Sequence, residues 1–224
     1  MGTSGLKPTR SATGVSIGLT GGVASGKSTS LAMFAELGAQ TFSADQCVHE
    51  LYEMPEVKTV LHARFGASVF DERGDVDRRA LAQLVFQDEA ELRWLEAFIH
   101  PRVEHEICKL LAECAPGSVV VFEVPLLFDV SMETMFDLTV TIETARGERE
   151  RRATVSNSGA EFADFDVRQL KSEERVAKAD VAYVNDQGFD ELRRFIGGVH
   201  RRALALAEQK IQWMLSQGED ECDE

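Results

Sequence analysis

The stretch LTGGVASGKSTSLAMF, Leu19 to Phe34, sets glycines, a lysine and hydroxyl side chains between two apolar runs. Within it Gly21, four residues, then Gly26, Lys27 and Ser28 spell the phosphate-binding pattern G-x-x-x-x-G-K-[ST]. The glycines let the backbone curl so that successive N–H groups face anionic oxygens, and a helix N-terminus adds positive partial charge. The context fits: VSIGLT before it is a short apolar, β-branched run, and KSTSLAMFAEL after it has helical spacing and stops at Gly38. Gly22, Val23, Ala24, Ser25, Gly26, Lys27, Ser28 and Thr29 are therefore expected to hold nucleotide phosphates. Lys27 is expected to reach the β and γ phosphates and Ser28 to ligate Mg²⁺.

Outward from that loop the pattern alternates. AQTFSAD reads as a second strand ending in Asp45, with Asp45 as the N-cap of the helix DQCVHELYE. Residues 56–115 read as helical throughout, clearest in DRRALAQLVF and EAELRWLEAFIHPRVEHEICKLLAEC. SVVVFEVPLLF then breaks the helical run as a strand buried on both faces, and FDLTVTI and DVAYVN read the same way. Between Ile142 and Ala179 lie a charged helix, a small polar loop and a second helix, the makings of a flap. A last helix covers 190–215. Five strands alternating with helices predict a parallel, doubly wound α/β sheet.

Composition narrows the function. The formal charge is −14 over 224 residues, and the final EDECDE carries five of the negatives, leaving −9 elsewhere. A protein that coats nucleic acid needs basic surface, so a phosphate ligand must be held by a local site. No apolar run approaches the roughly 20 residues of a membrane span, and MGTSGLKPTRSATG lacks the apolar middle of a signal peptide. That leader also departs from a myristoylation signal, with Leu6 where Ser or Thr belongs. Cys47, Cys108, Cys114 and Cys222 form no C-x-x-C pair and are expected to stay reduced. His100 and His105 lack the i, i+4 spacing of a metal pair on one helical face. A cytoplasmic protein is expected.

Three further features carry chemistry. The guanine-reading N-K-x-D element is absent, so ATP is expected rather than GTP. Arg146, Arg149, Arg151 and Arg152 fall within seven residues of the flap. They read either as a solvated helix face or as charge stabilisation for a phosphoryl transition state. Asp45, at the carboxyl end of the second strand, is placed to take a proton from an acceptor hydroxyl, and Glu123 stands where a Walker B acid holds Mg²⁺, directly or through water.

Taken together, the chain resembles the dephospho-CoA kinases over about residues 15–210. The similar pieces are IGLTGGVASGKST, SAD at 43–45, DRRALAQLVF at 77–86, LEAFIHPRV at 95–103, VPLLF at 124–128 and ADVAYVNDQG at 179–188. The resemblance implies transfer of the ATP γ-phosphoryl group to the ribose 3′-hydroxyl of dephospho-CoA, the last step of coenzyme A synthesis, with Mg²⁺. It implies a P-loop kinase-like three-layer fold: a five-stranded parallel sheet flanked by helices, with a helical substrate-domain insertion and a lid. On that basis residues 1–14 form a leader, 15–55, 116–142 and 179–215 the core, 56–115 the insertion, 143–178 the lid and 216–224 an acidic tail. Asp45 faces the 3′-hydroxyl, Asn185 lies near the adenine, and Arg78, Arg79 and His100 fall in the substrate domain. The family has Asp where Glu123 stands and Glu where Asp129 stands. In the lid, RGERERRATVSNSG permits several alignments; Arg152 is the first choice for the phosphates and Arg149 the second. The expected partners are the small molecules ATP and dephospho-CoA, without nucleic acid or membrane, and a monomer. Another P-loop kinase acting on a nucleoside or small alcohol, or a nucleotide-binding protein that signals by lid closure, would share the loop.

Overall fold

A computed structural model describes residues 14–155, 166–167 and 169–219. All but the last residue of the expected leader, most of the polar loop of the expected lid and the end of the expected acidic tail lie outside the described residues. Two compact units make up the chain: one built from residues up to Phe42 and from Cys108 onward, the other from Ser43–Ile107.

The first unit is an α/β layer structure. Strand β1 (Val15–Gly21) is buried at every residue and lies at the centre of a five-stranded sheet. Its neighbours are β3 (Val119–Glu123) on one side and β4 (Leu138–Glu143) on the other, both parallel to it. Strands β2 (Gln40–Ser43) and β5 (Val181–Val184) complete the order β2-β3-β1-β4-β5. β1, β3 and β4 are continuous apolar or β-branched runs because helices cover both faces of a parallel sheet. β5 departs from that expectation. It is an edge strand whose residues alternate between half-buried and exposed, since Val181 and Tyr183 pack on the core while Val184 is 56% exposed.

Helix α1 (Lys27–Glu36) and the long C-terminal helix α8 (Phe189–Glu219) pack on this sheet. α8 presents Leu192, Ile196, Val199, Ala203 and Ala207, one helical stripe, against Val15, Ile17, Val121 and Val140. Burying each large apolar side chain contributes about 1.5–3 kcal/mol, before conformational entropy is subtracted. Two short helices, α6 (Arg146–Val155) and α7 (Ser172–Lys178), follow β4.

The second unit is helical: α2 (Ala44–Glu53), α3 (Pro55–Phe65), a 3₁₀ turn at Gly66–Val69, α4 (Arg78–Gln87) and the larger part of α5 (Glu89–Glu113). The expectation of unbroken helix from 56 onward fails at 70–77. There Asp71 accepts hydrogen bonds from the N–H groups of Arg73 and Asp75, and Phe70 bridges Val76. Asp, Arg, Gly and Asp in that stretch favour a turn over helix. α5 runs through Pro101, where the helix lacks one N–H donor and the Arg102 guanidinium donates to the Phe98 carbonyl.

One polar cluster ties the end of the chain to its first strand. Lys210 of α8 donates to Asp137 Oδ1 at 2.8 Å and to the Gly14 carbonyl at 2.9 Å. Asp137 Oδ2 in turn accepts from the main-chain N–H of Ser16 at 2.9 Å. Lys210→Met leaves this largely buried carboxylate short of a donor. It should destabilise the fold by about 1–3 kcal/mol in urea unfolding; a loss under about 0.5 kcal/mol would show that the cluster is not what anchors α8.

Candidate active site

The loop between β1 and α1 is held in shape by its backbone and by two side chains from neighbouring strands. Ala24 has φ 58° and Gly26 φ 109°, so two of its residues take left-handed conformations. At Gly26 only glycine fits, since a Cβ there would lie 2.5 Å from Asn185 Nδ2. The Ser25 carbonyl accepts from Asn185 Nδ2 at 2.9 Å and from Thr144 Oγ1 at 3.1 Å. A trans peptide with its carbonyl so held directs the Gly26 N–H the opposite way. α1 begins at once, with no side-chain cap and no acidic residue in its first turn. Its positive end is therefore left for an anion.

Lys27, buried, folds back over the loop and donates to the carbonyls of Gly21 and Gly22 at 3.0 and 2.9 Å. Ser28 Oγ donates to Oε1 of the buried Glu123, the last residue of β3, at 3.1 Å. A hydroxyl and a carboxylate oxygen side by side are hard donors, the set that Mg²⁺ takes alongside phosphate oxygens and water. Thr29 lies half-buried in the first turn of α1.

Two arginines of α6 approach this loop by different routes. Arg149 is buried: its Nε donates to the Thr144 carbonyl at 3.1 Å, its Nη1 to the Val23 carbonyl at 3.4 Å, and it pairs with Asp166. Arg152 is half-buried and donates to the Asn185 carbonyl at 3.4 Å and to Glu148 at 3.0 Å. Hydrogen bonds from Arg151 and then Arg152 pull the Glu148 carboxyl down to about 2.

Four participants are not among the residues expected from sequence. Arg175 of α7 grips Glu143, the last residue of β4, through two 2.7 Å hydrogen bonds, and donates to the Leu170 carbonyl. Its guanidinium lies against Gly22, 3.2 Å from where a Cβ would stand. Thr144 holds the loop as described. Gln169 accepts from the Val23 N–H and donates to the Pro125 carbonyl, both at 3.2 Å. No local pattern marks these residues, because the partners they meet on other elements lie 32 to 146 positions away. Arg175 also sits in a run of ordinary helical charges, SEER.

In the second unit, Asp45 is exposed in the first turn of α2, not its N-cap; that role belongs to Ser43, whose hydroxyl accepts from the Gln46 N–H. β2 ends two residues before Asp45 because the helix takes Ala44 as its first residue. Arg78 and Arg79 are the exposed first residues of α4, behind the cap Asp77. Burial raises the pKa of Tyr52 on α2, and the charge of Arg78 works against that shift. His100 is exposed on α5.

The Glu143–Arg175 pair makes acid sensitivity testable. Burial pushes the Glu143 carboxyl up, but hydrogen bonds from Arg175 and Thr141 and the charge of Arg175 outweigh it, leaving the carboxyl below its ordinary 4.5. A carboxyl lowered on folding contributes stability above its unfolded pKa and loses it as pH falls through the folded value. In urea unfolding from about pH 6 to about pH 3, Glu143→Gln should lose stability less steeply below about pH 4.5 than the parent protein. Equal slopes would mean that the pair contributes nothing there.

Comparison with known proteins gives the family. A family model described as dephospho-CoA kinase matches residues 15–191. A dephospho-CoA kinase of Fusobacterium nucleatum is 34% identical, covering 79% of this chain and 92% of the relative. One of Methylococcus capsulatus is also 34% identical, covering 85% and 98%. A solved structure of TT1252 from Thermus thermophilus superposes with a TM-score of 0.72 at 31% identity, over 84% of this chain and 97% of that one. The dephospho-CoA kinase of Campylobacter jejuni, at 22% identity and a TM-score of 0.59, shares the fold. The chain belongs to the dephospho-CoA kinase family.

Proposed function

We propose that this protein transfers the γ-phosphoryl group of ATP to the ribose 3′-hydroxyl of dephospho-CoA, the last step of coenzyme A synthesis. The observation that carries the reading is the phosphate loop: a preformed, uncapped helix start beside the Ser28–Glu123 oxygen pair, in a chain matched to the family along residues 15–191. Residues 22–29 bind the polyphosphate. Asn185, which buttresses Ser25 and Gly26, lies beside the nucleotide. Ser28 and Glu123 hold Mg²⁺, which neutralises charge on the β and γ phosphates when bound.

Lys27 and the lid guanidiniums of Arg149 and Arg152 oppose the charge that builds on the transferred group. Asp45 accepts the proton of the 3′-hydroxyl as its oxygen bonds to the γ-phosphorus and the bond to ADP breaks. Arg78, Arg79 and His100 meet the acceptor, whose phosphates suit guanidinium and imidazole donors. The division of labour is a nucleotide core, a helical substrate insertion and a lid formed by residues 143–178, in a cytoplasmic monomer. Among the described residues no helix is long and apolar enough to cross a membrane.

A coupled ADP-release assay with MgATP tests the reading. Turnover should require dephospho-CoA, and Asp45→Asn should lower kcat by about 100-fold or more. ATP binding without any turnover on dephospho-CoA overturns the acceptor, and an Asp45→Asn kcat within about threefold of the parent removes the base.

A further inference from the structure

We infer that Gln169 is a positioning residue for the nucleotide, a role that rests on the kinase reading above. Its carboxamide joins three parts of the first unit. Oε1 accepts from the Val23 N–H of the phosphate loop at 3.2 Å, and Nε2 donates at 3.2 Å to the Pro125 carbonyl just beyond β3. Gln169 itself lies three residues before α7. Immediately next to it, the Leu170 N–H donates to Asp129 at 2.8 Å and the Leu170 carbonyl accepts from Arg175, so the backbone behind the carboxamide is pinned from both sides. The same Pro125 carbonyl accepts from Thr20 Oγ1 of β1 at 3.2 Å, which fixes it against the strand that launches the loop.

What the carboxamide holds is the costly part of the loop. Val23 precedes Ala24, a non-glycine residue at φ 58°, and left-handed backbone crowds the Cβ of an alanine against its own carbonyl. The two faces of the Val23 residue are gripped from the lid side: its N–H by Gln169 and its carbonyl by Arg149 Nη1 at 3.4 Å. With both directions set, the loop keeps its shape before a ligand arrives, and the ordering cost is met in folding rather than in binding. Only a carboxamide of this length satisfies the two ends. The Val23 N–H needs an acceptor and the Pro125 carbonyl needs a donor, so a carboxylate fails at Pro125 and a thioether at both.

The test compares Gln169→Met and Gln169→Glu with the parent. MgATP affinity is measured by calorimetry without acceptor, alongside kcat, KM for both substrates and melting temperature. Gln169→Met should weaken MgATP binding about tenfold and raise its KM in parallel. KM for dephospho-CoA should stay within about twofold and the melting temperature within about 3 °C. Gln169→Glu, which sets an acceptor against the Pro125 carbonyl, should be at least as weak. MgATP affinity within about twofold of the parent in Gln169→Met overturns the inference. So does a melting temperature lowered by about 8 °C or more, which would mark Gln169 as a structural residue only. If the parent itself turns over no dephospho-CoA, the acceptor assignment fails while the binding comparison still decides the role of Gln169.

Discussion

The carbonyl of Ser25 is the hinge on which this site depends. An anion cradle built from main-chain N–H groups works only if the alternate carbonyls are held away from the anion, and carbonyls left alone would find partners wherever the loop collapsed. Here Asn185, one residue past β5, and Thr144, one residue past β4, both donate to that oxygen. Both strands lie on the same side of β1 in the sheet. The sheet order thus sets the loop: β4 and β5 must end level with it for two side chains to converge there.

Electrostatics builds on that frame. An acidic chain concentrates cations around one loop: Lys27, Arg149 and Arg175 are all buried, and Arg152 is half-buried. Buried charges must be paired. Glu143 pairs Arg175, Asp166 pairs Arg149, and Lys27 is satisfied by loop carbonyls. The pairs differ in purpose. Glu143 and Arg175 lock β4 to α7 and shape the wall beside Gly22, whereas Lys27 donates to loop carbonyls, neutral acceptors weaker than the charged oxygens of a phosphate.

The division into two units separates these tasks. The sheet unit carries the loop, the Ser28–Glu123 oxygen pair and the helices α6 and α7. The helical unit carries Asp45, Arg78, Arg79 and His100 on exposed positions. The starts of α2 and α4 are capped by Ser43 and Asp77, which keeps their first turns satisfied within that unit. Only α1, of the helices whose caps are described, opens on a left-handed glycine with no side-chain cap, and that is the helix end facing the phosphate loop.

Sequence alone determined the features that depend on neighbours in the chain: the G-x-x-x-x-G-K-S loop between strand and helix, the apolar runs of β1, β3 and β4, and the family pieces between Ile17 and Gly188. It missed where pattern and partner part company. β5 carries an apolar run like a central strand, yet it lies at the sheet edge, because strand order is set by packing across the whole sheet. Asp45 reads as a cap, but the chain enters α2 two residues early and Ser43 takes the role. Thr144, Gln169 and Arg175 were invisible because each acts on a group tens to more than a hundred positions away, and a hydrogen bond requires only closeness in space. Local periodicity and spacing record which surfaces seek burial and which turns are possible; only the folded sheet decides which side chains meet the loop.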